Sequence, residues 1–427
     1  MRKIIAGNVL AILFFLCGSS FAQEANVPEH IILNLTEKPS ESVAVSWRTK
    51  SPAKQFIQWV DDTESPVKPV ENQTIDAKAN TVTYYDGDLP PLTVTNYSAI
   101  ISGLKPKTQY LYRVGSENAW SEWFQFKTAG LQNEAFSFIY FGDAQNNIKS
   151  QWSRVIRKAY ATAPDAGFIY HAGDLINHTN SEKEWQEWFH AGDFIHATIP
   201  SMMTPGNHEY DSTALDNHWR PQFTLPENGP DFDLLSETVY YIDYQDLRII
   251  SIDADIMTES MESAIKTKEW LEKVLAENKQ KWTILTLHFP FYSTASNRDN
   301  PELREHFQPI IEKYKVDMVL TGHDHAYGRG MENISSMTEK GTISGPMYVV
   351  SVSGPKMYGL SDKDWMRRKA GNTQLFQVLS IDGDELNFKA YTATGQLYDE
   401  FDLIKQNGKK NKLVDKAPDV PERLYSR

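Results

Sequence analysis

Five short segments of the 427-residue chain concentrate side chains that bind metals or move protons: Phe141-Gly-Asp143, His171-Ala-Gly-Asp174, Pro205-Gly-Asn-His208-Glu209, Thr286-Leu-His288 and Thr321-Gly-His323-Asp-His325. Singly, each has a plain structural reading. Gly-Asp after a strand makes a turn, Gly-Asn-His after a proline makes another, and a lone histidine among apolar residues bonds to backbone in a core. Together, in this order and each following an apolar run, they fit ligand binding at the carboxyl ends of strands in an α/β sheet. Carboxylate, amide oxygen and imidazole suit iron, manganese or zinc, and the lack of thiolate argues against a purely structural zinc site. One carboxylate placed between two such ions bridges them at about 4 Å, the spacing of two-metal hydrolysis, in which the pair binds phosphoryl oxygens and acidifies a water for in-line attack.

The elements that must position these residues follow from pattern. From Val27 to Thr128 the chain alternates like short strands with turn punctuation, as in Ser42–Trp47, Tyr97–Ile101 and Tyr110–Val114. Gly103-Leu-Lys-Pro-Lys-Thr-Gln-Tyr110 resembles the turn and tyrosine corner of a fibronectin type III or immunoglobulin-like sandwich. After Gly130 the character changes. Ala135–Phe141 reads as a buried strand and Ile148–Ala161 as a helix; a second apolar strand ends at Tyr170. Helix-like stretches at Glu182–Ala191, Lys266–Glu277 and Pro301–Lys313 are each followed by an apolar strand. Thr238–Asp253 reads as a hairpin and Gly345–Phe401 as closing strands, while Trp152, Trp185, Trp188 and Trp270 fall at core spacings on helices. The expected architecture is two domains: an N-terminal all-β sandwich over residues 25–130, then an α/β (α+β) domain over 134–403, a β-sandwich flanked by helices. Residues 404–427, with Lys405, Lys409, Lys410 and Lys412, read as a loosely ordered polar tail.

Charge and termini bound the function. The formal net charge is −13, which disfavours general binding to nucleic acid or anionic membrane. Any phosphate-bearing substrate must then be drawn in locally, by bound cations. Met1-Arg-Lys3, the apolar run Val9–Cys17 and Ser20-Phe-Ala22 read as an export signal over residues 1–22, too short to span a bilayer. Its removal takes Arg2, Lys3 and the only cysteine, Cys17, leaving a charge of −15 and no disulfide. For an exported chain of this size that favours a bacterial periplasm, envelope or medium.

At this point the five blocks resemble those of the calcineurin-like metallophosphoesterase superfamily, and with the preceding sandwich they are most similar to the purple acid phosphatases, over about residues 27–403. The resemblance implies that Asp143, Asp174 and His325 hold a first metal ion, that Asp174, Asn207, His288 and His323 hold a second, and that Asp174 bridges them. It implies that His208 contacts the phosphate and protonates the leaving alkoxide, with Glu209 expected to orient His208 through a hydrogen bond. The chain departs from the family in two places. Asn177 stands where purple enzymes carry the tyrosine whose phenolate colours ferric iron, so a colourless protein is expected. Gln145 stands where many superfamily members use a histidine ligand, and Gln145, Asn177 or water are the alternatives for that place. Arg298, with a fork of donors suited to phosphate, and Asn177 are the candidate substrate contacts, with Tyr292 and Tyr327 behind them.

The expected activity is hydrolysis of a small phosphate monoester with two metal ions, from the set iron, zinc and manganese. Phosphodiester or nucleotide hydrolysis at the same site is the alternative. A non-catalytic binding protein is disfavoured because the full ligand set is present.

Overall fold

The computed structural model describes residues 26–424 except 64, 67–72, 88, 332–345 and 407–410. The expected export signal with Cys17, and Lys409 and Lys410, lie outside the described residues.

The chain folds as a β-rich N-terminal domain followed by a layered α/β domain, as the pattern predicts. The N-terminal core gathers Val43, Val45, Trp47, Ile57, Trp59, Tyr97, Tyr110, Tyr112 and Phe126 between two sheets. The Tyr110 hydroxyl accepts the Lys105 amide at 2.9 Å, closing the corner expected from Gly103–Tyr110.

In the second domain two sheets face each other. Phe136–Phe141, Phe168–His171 and Ser201–Met203 lie side by side and parallel in one. Leu247–Ser251, Trp282–Thr286, Met318–Thr321 and Met347–Val350 are parallel neighbours in the other. Each of these inner strands is covered on both faces, which is why Trp-Thr-Ile-Leu-Thr286 is a continuous buried run rather than an alternating one. Tyr140, Tyr170, Met202, Ile249, Ile284 and Leu320 fill the space between the sheets. The outer faces are covered by helices. Ser153–Thr162 and Glu182–Gly192 bring Val155, Ile156, Trp185 and Trp188 to one side. Met261–Ala276 and Pro301–Lys313 bring Leu271, Leu275, Phe307 and Ile311 to the other. Proline at the first turn of the latter supplies a pre-set φ where an amide would be unpaired anyway. The expected hairpin forms from Tyr240–Tyr244 and Leu247–Ser251.

Two features depart from the pattern. Among the described residues, one sheet has eleven strands and runs through both domains, because Glu29–Leu35 pairs antiparallel with Ser42–Thr49 on one side and parallel with Ser201–Met203 on the other. The expected loose tail instead adds an edge strand, Lys412–Asp415, paired with Leu397–Ile404. Buried Arg329 holds that strand by bonding Asp415 at 3.0 Å and Asp399 at 2.8 and 2.9 Å, and Lys405 and Asn411 both bond Asp317. Lysine-rich composition concealed this, since Leu413 alone carries the strand into the core.

Candidate metal centre

The five blocks follow the carboxyl ends of five strands, three from one sheet and two from the other, so the sandwich brings them to one edge. Asp174, His323 and His325 take positive φ angles of 51°, 72° and 48°. For residues other than glycine this is strained backbone, held by the surrounding structure so that the side chains aim inward. The block glycines are required by close approach. A Cβ on Gly206 would lie 2.3 Å from Asp174 Oδ1, and one on Gly173 2.7 Å from the Gly206 amide nitrogen.

Two groups of donors form around a shared carboxylate. Asp174, His288 and His323 make one, and Asp143, Asp174 and His325 make the other; within each, the donor atoms lie within 4.8 Å of one another. His288 Nε2 is 3.2 Å from Asp174 Oδ2 and 3.9 Å from Asp143 Oδ1, and His325 Nε2 is 3.7 Å from Asp143 Oδ1. Backbone carbonyls set the imidazoles. His288 Nδ1 donates to Ala172 O at 2.7 Å and His325 Nδ1 to Lys356 O at 3.0 Å, leaving each Nε2 lone pair facing the centre. Asn207 Oδ1 is buried with no hydrogen-bond partner among the described residues. Buried acceptors are otherwise paired, so an orphan amide oxygen beside this cluster is what a cation ligand looks like before its ion arrives.

The electrostatics ask for positive charge. Burial pushes the Asp143 carboxyl up to about 7. Burial also works against Asp174, but His288 with its hydrogen bond, then His208 and His323, holds it well below the usual carboxylate range. Despite desolvation, Asp174 raises His288 to about 10, so without metal a proton on His288 stands in for a cation. Burial lowers His323, and lowers His325 to about 3, leaving both as neutral ligands. The donor set therefore fits two divalent or trivalent ions.

Two stretches match family models: residues 28–128 match the purple acid phosphatase N-terminal domain and residues 136–327 the calcineurin-like phosphoesterases. The chain belongs to the purple acid phosphatase-like metallophosphoesterases. It is 25% identical to an Fe(3+)-Zn(2+) purple acid phosphatase of Arabidopsis thaliana, over 78% of this chain and 73% of that one. A probable inactive purple acid phosphatase of the same plant is 24% identical over 72% of this chain, which spans 57% of that relative's length. In fold, a purple acid phosphatase from yellow lupin seeds superposes with a TM-score of 0.71 at 22% identity, over 88% of this chain and 74% of that one. Membership and the two donor groups together support a dinuclear metal centre in a metal-dependent phosphoesterase.

Around that purple-acid-phosphatase-like centre the remaining expected residues divide. His208 flanks it, with Nε2 4.0 Å from Asp174 Oδ2 and its backbone amide donating to Asp174 Oδ1 at 3.0 Å. Glu209 does not orient His208. Fully buried, it accepts the amides of Gly206, Asp174, Leu175 and Ile176 at 2.7–3.2 Å, binding two of the loops together. Burial and then the Asp174 charge push its carboxyl well above the ordinary range, against the pull of the Gly206 amide. The backbone carbonyl of Asn177 orients His208 instead, accepting from Nδ1 at 2.6 Å. Gln145 lies inside the centre, with its amide nitrogen directed at Asp174 Oδ2 and His325 Nε2 and its oxygen turned to Lys356. Arg298 lies at the rim, one terminal nitrogen 3.3 Å from His323 O and its guanidinium 4.7 Å from the Tyr358 ring centroid. Tyr327 is buried and donates to Asp399, and the Tyr292 hydroxyl donates to Gln308, so both serve packing.

Lys356 is the residue the sequence reading missed. Its Nζ is 2.8 Å from Gln145 Oε1 and 3.3 Å from His208 Nε2. The signal was available: Ser353-Gly-Pro-Lys356 is a turn just past the apolar strand Met347–Val350, at the same edge as the other blocks.

Proposed function

We propose that this protein is an exported phosphatase hydrolysing small phosphate monoesters at a pair of metal ions drawn from iron, zinc and manganese. The observation that carries the reading is the pair of donor groups sharing Asp174 beside the orphan Asn207 Oδ1. Two ions bound there supply charge for the phosphoryl oxygens and lower the pKa of an attacking water. The chain's own groups do the rest. Asp143 and Asp174 hold the ions, while the Ala172 and Lys356 carbonyls lock His288 and His325 as ligands through Nε2. His208, its Nδ1 committed to the Asn177 carbonyl, keeps Nε2 for passing a proton to the leaving alkoxide. Arg298 at the rim is the candidate phosphate contact. With Asn177 in place of the coloured enzymes' tyrosine, the loaded protein is colourless. Export rests on the apolar Val9–Cys17 run and the small-residue end at Ala22.

Metal analysis of the purified protein, with release of nitrophenol from mono- and bis-(nitrophenyl) phosphate, tests the reading. Two ions per chain and a preference for the monoester are expected. A faster diester reaction overturns the substrate assignment, and a fully loaded protein inactive on both makes the chain a binding protein.

A further inference from the structure

We propose that Lys356 is a substrate-positioning residue that tunes this site to doubly charged phosphate, an inference that rests on the phosphatase reading. The juxtaposition is the argument. Lys356 Nζ is placed between His208 on the leaving-group side and Gln145 within the centre, at 3.3 and 2.8 Å. Gln145 in turn donates to the shared carboxylate Asp174. The ammonium is thus one hydrogen bond from His208 and two from Asp174.

An ammonium carries three donors and no acceptor. Gln145 Oε1 accepts from one of them, and His208 Nε2 faces the ammonium at 3.3 Å. At least one donor remains, and neither partner carries negative charge. No carboxylate pairs with Nζ among the described residues, in a chain of net charge −13. A half-buried cation that faces an imidazole and an amide, with no carboxylate beside it among the described residues, is under-compensated, and an arriving anionic oxygen is a better partner than either.

The charge is reinforced along the rim. Lys356 Nζ lies 5.7 Å from the centroid of the Tyr358 ring, and the Arg298 guanidinium lies 4.7 Å from the same centroid. The ring therefore faces two cations at the mouth of one centre; Arg298 is 3.6 Å from the buried Asp324 carboxylate, while Lys356 has no carboxylate partner among the described residues. A monoester dianion gains from that extra charge more than a diester monoanion does, so Lys356 acts on substrate choice as well as affinity. Its position is independent of its side-chain chemistry, because the backbone carbonyl, not the ammonium, holds His325. Substitution therefore leaves the imidazole ligand in place.

The test compares Lys356→Met and Lys356→Arg with the parent holoenzyme by three readouts: metal content, kcat and KM on nitrophenyl and bis-nitrophenyl phosphate, and Kd for inorganic phosphate by calorimetry. Lys356→Met should keep two ions per chain, lose about 10–100-fold in monoester kcat/KM mainly through KM, and weaken phosphate binding at least about tenfold. The diester reaction should change less than about threefold, and Lys356→Arg should recover most of the loss. An equal loss on both esters, or unchanged phosphate affinity in a loaded Lys356→Met protein, overturns the proposal. The calorimetric arm does not need turnover. A parent that binds phosphate through Lys356 yet hydrolyses neither ester sinks the phosphatase reading and leaves this one standing.

Discussion

Two places in the molecule bury several charges, and they balance them differently. At the seam between the domains, Arg48, 1% exposed, bonds Glu182 through both terminal nitrogens at 3.0 and 2.7 Å and Glu29 at 2.9 Å. His218 bridges Glu182 and Asp216 at 3.1 and 2.8 Å and stacks on Tyr84. Every charge there has an opposite neighbour from the protein itself. Burial opposes both ions, yet the bonds to His218 and Arg48 hold Glu182 far below its usual range, and Asp216 and Glu182 raise His218. In the metal centre the carboxylates Asp143 and Asp174 share a space with imidazoles and no arginine, and Asp143 is driven toward neutrality. A self-compensated cluster holds the fold. One left short of positive charge is built to receive it.

The sharpest way to break this comparison is to substitute one carboxylate in each place. Asp174→Asn should lower phosphatase activity per folded molecule by at least about a thousandfold and reduce bound metal. Glu182→Ala should do the reverse. It strands Arg48 in the interior at a cost of about 3–5 kcal/mol, seen as a lower denaturation midpoint, while kcat per folded molecule is retained. A third substitution sharpens the sign: metal-free Asp143→Asn should be more stable than the parent by about 1–2 kcal/mol at pH 8, because it removes a charge that burial disfavours. If chelated Asp143→Asn unfolds more readily, the centre is not short of cations. The smallest effect concerns pH. Burial lowers His30 and His171 well below the usual value, and lowers His196 to about 3. Unfolded histidine takes up a proton near pH 6.5, and these buried rings do not, so their contribution is intact above that pH and is lost as the pH falls toward 3. Melting curves of the metal-free protein at pH 7.5 and 4.5 should show this loss, and His171→Phe should reduce it, since neither His171 nitrogen has a hydrogen-bond partner among the described residues.

How much of this was legible in the sequence differs by kind of signal. The layered domain followed from period: continuous apolar runs such as Ala135–Phe141, a strand over Phe136–Phe141 in the structure, against helical spacings such as Pro301–Lys313, whose bounds the structure reproduces. That Asp143, Asp174, His288, His323 and His325 come together was legible because strand ends gather side chains whatever their separation along the chain. What stayed hidden depended on partners. Adjacency suggested a hydrogen bond from His208 to Glu209, yet the 3₁₀ turn Asn207–Glu209 sends the carboxylate back to four amides. Lys356 went unnoticed because much of its meaning lies in Gln145 and His208, at 211 and 148 positions' separation. The edge strand Lys412–Asp415 depends on Arg329 and Asp399, which composition does not reveal.

The strand Glu29–Leu35 makes the N-terminal module a splint rather than a pendant. Ile32 and Leu35 sit in the core of the catalytic domain, and the Asn34 amide reaches Ser201 O at 3.2 Å. Cutting the chain after residue 130 would therefore not release a free-standing enzyme. It would lay bare the flank of Ser201–Met203, with its amides and carbonyls open to any passing strand, a few residues upstream of Asn207.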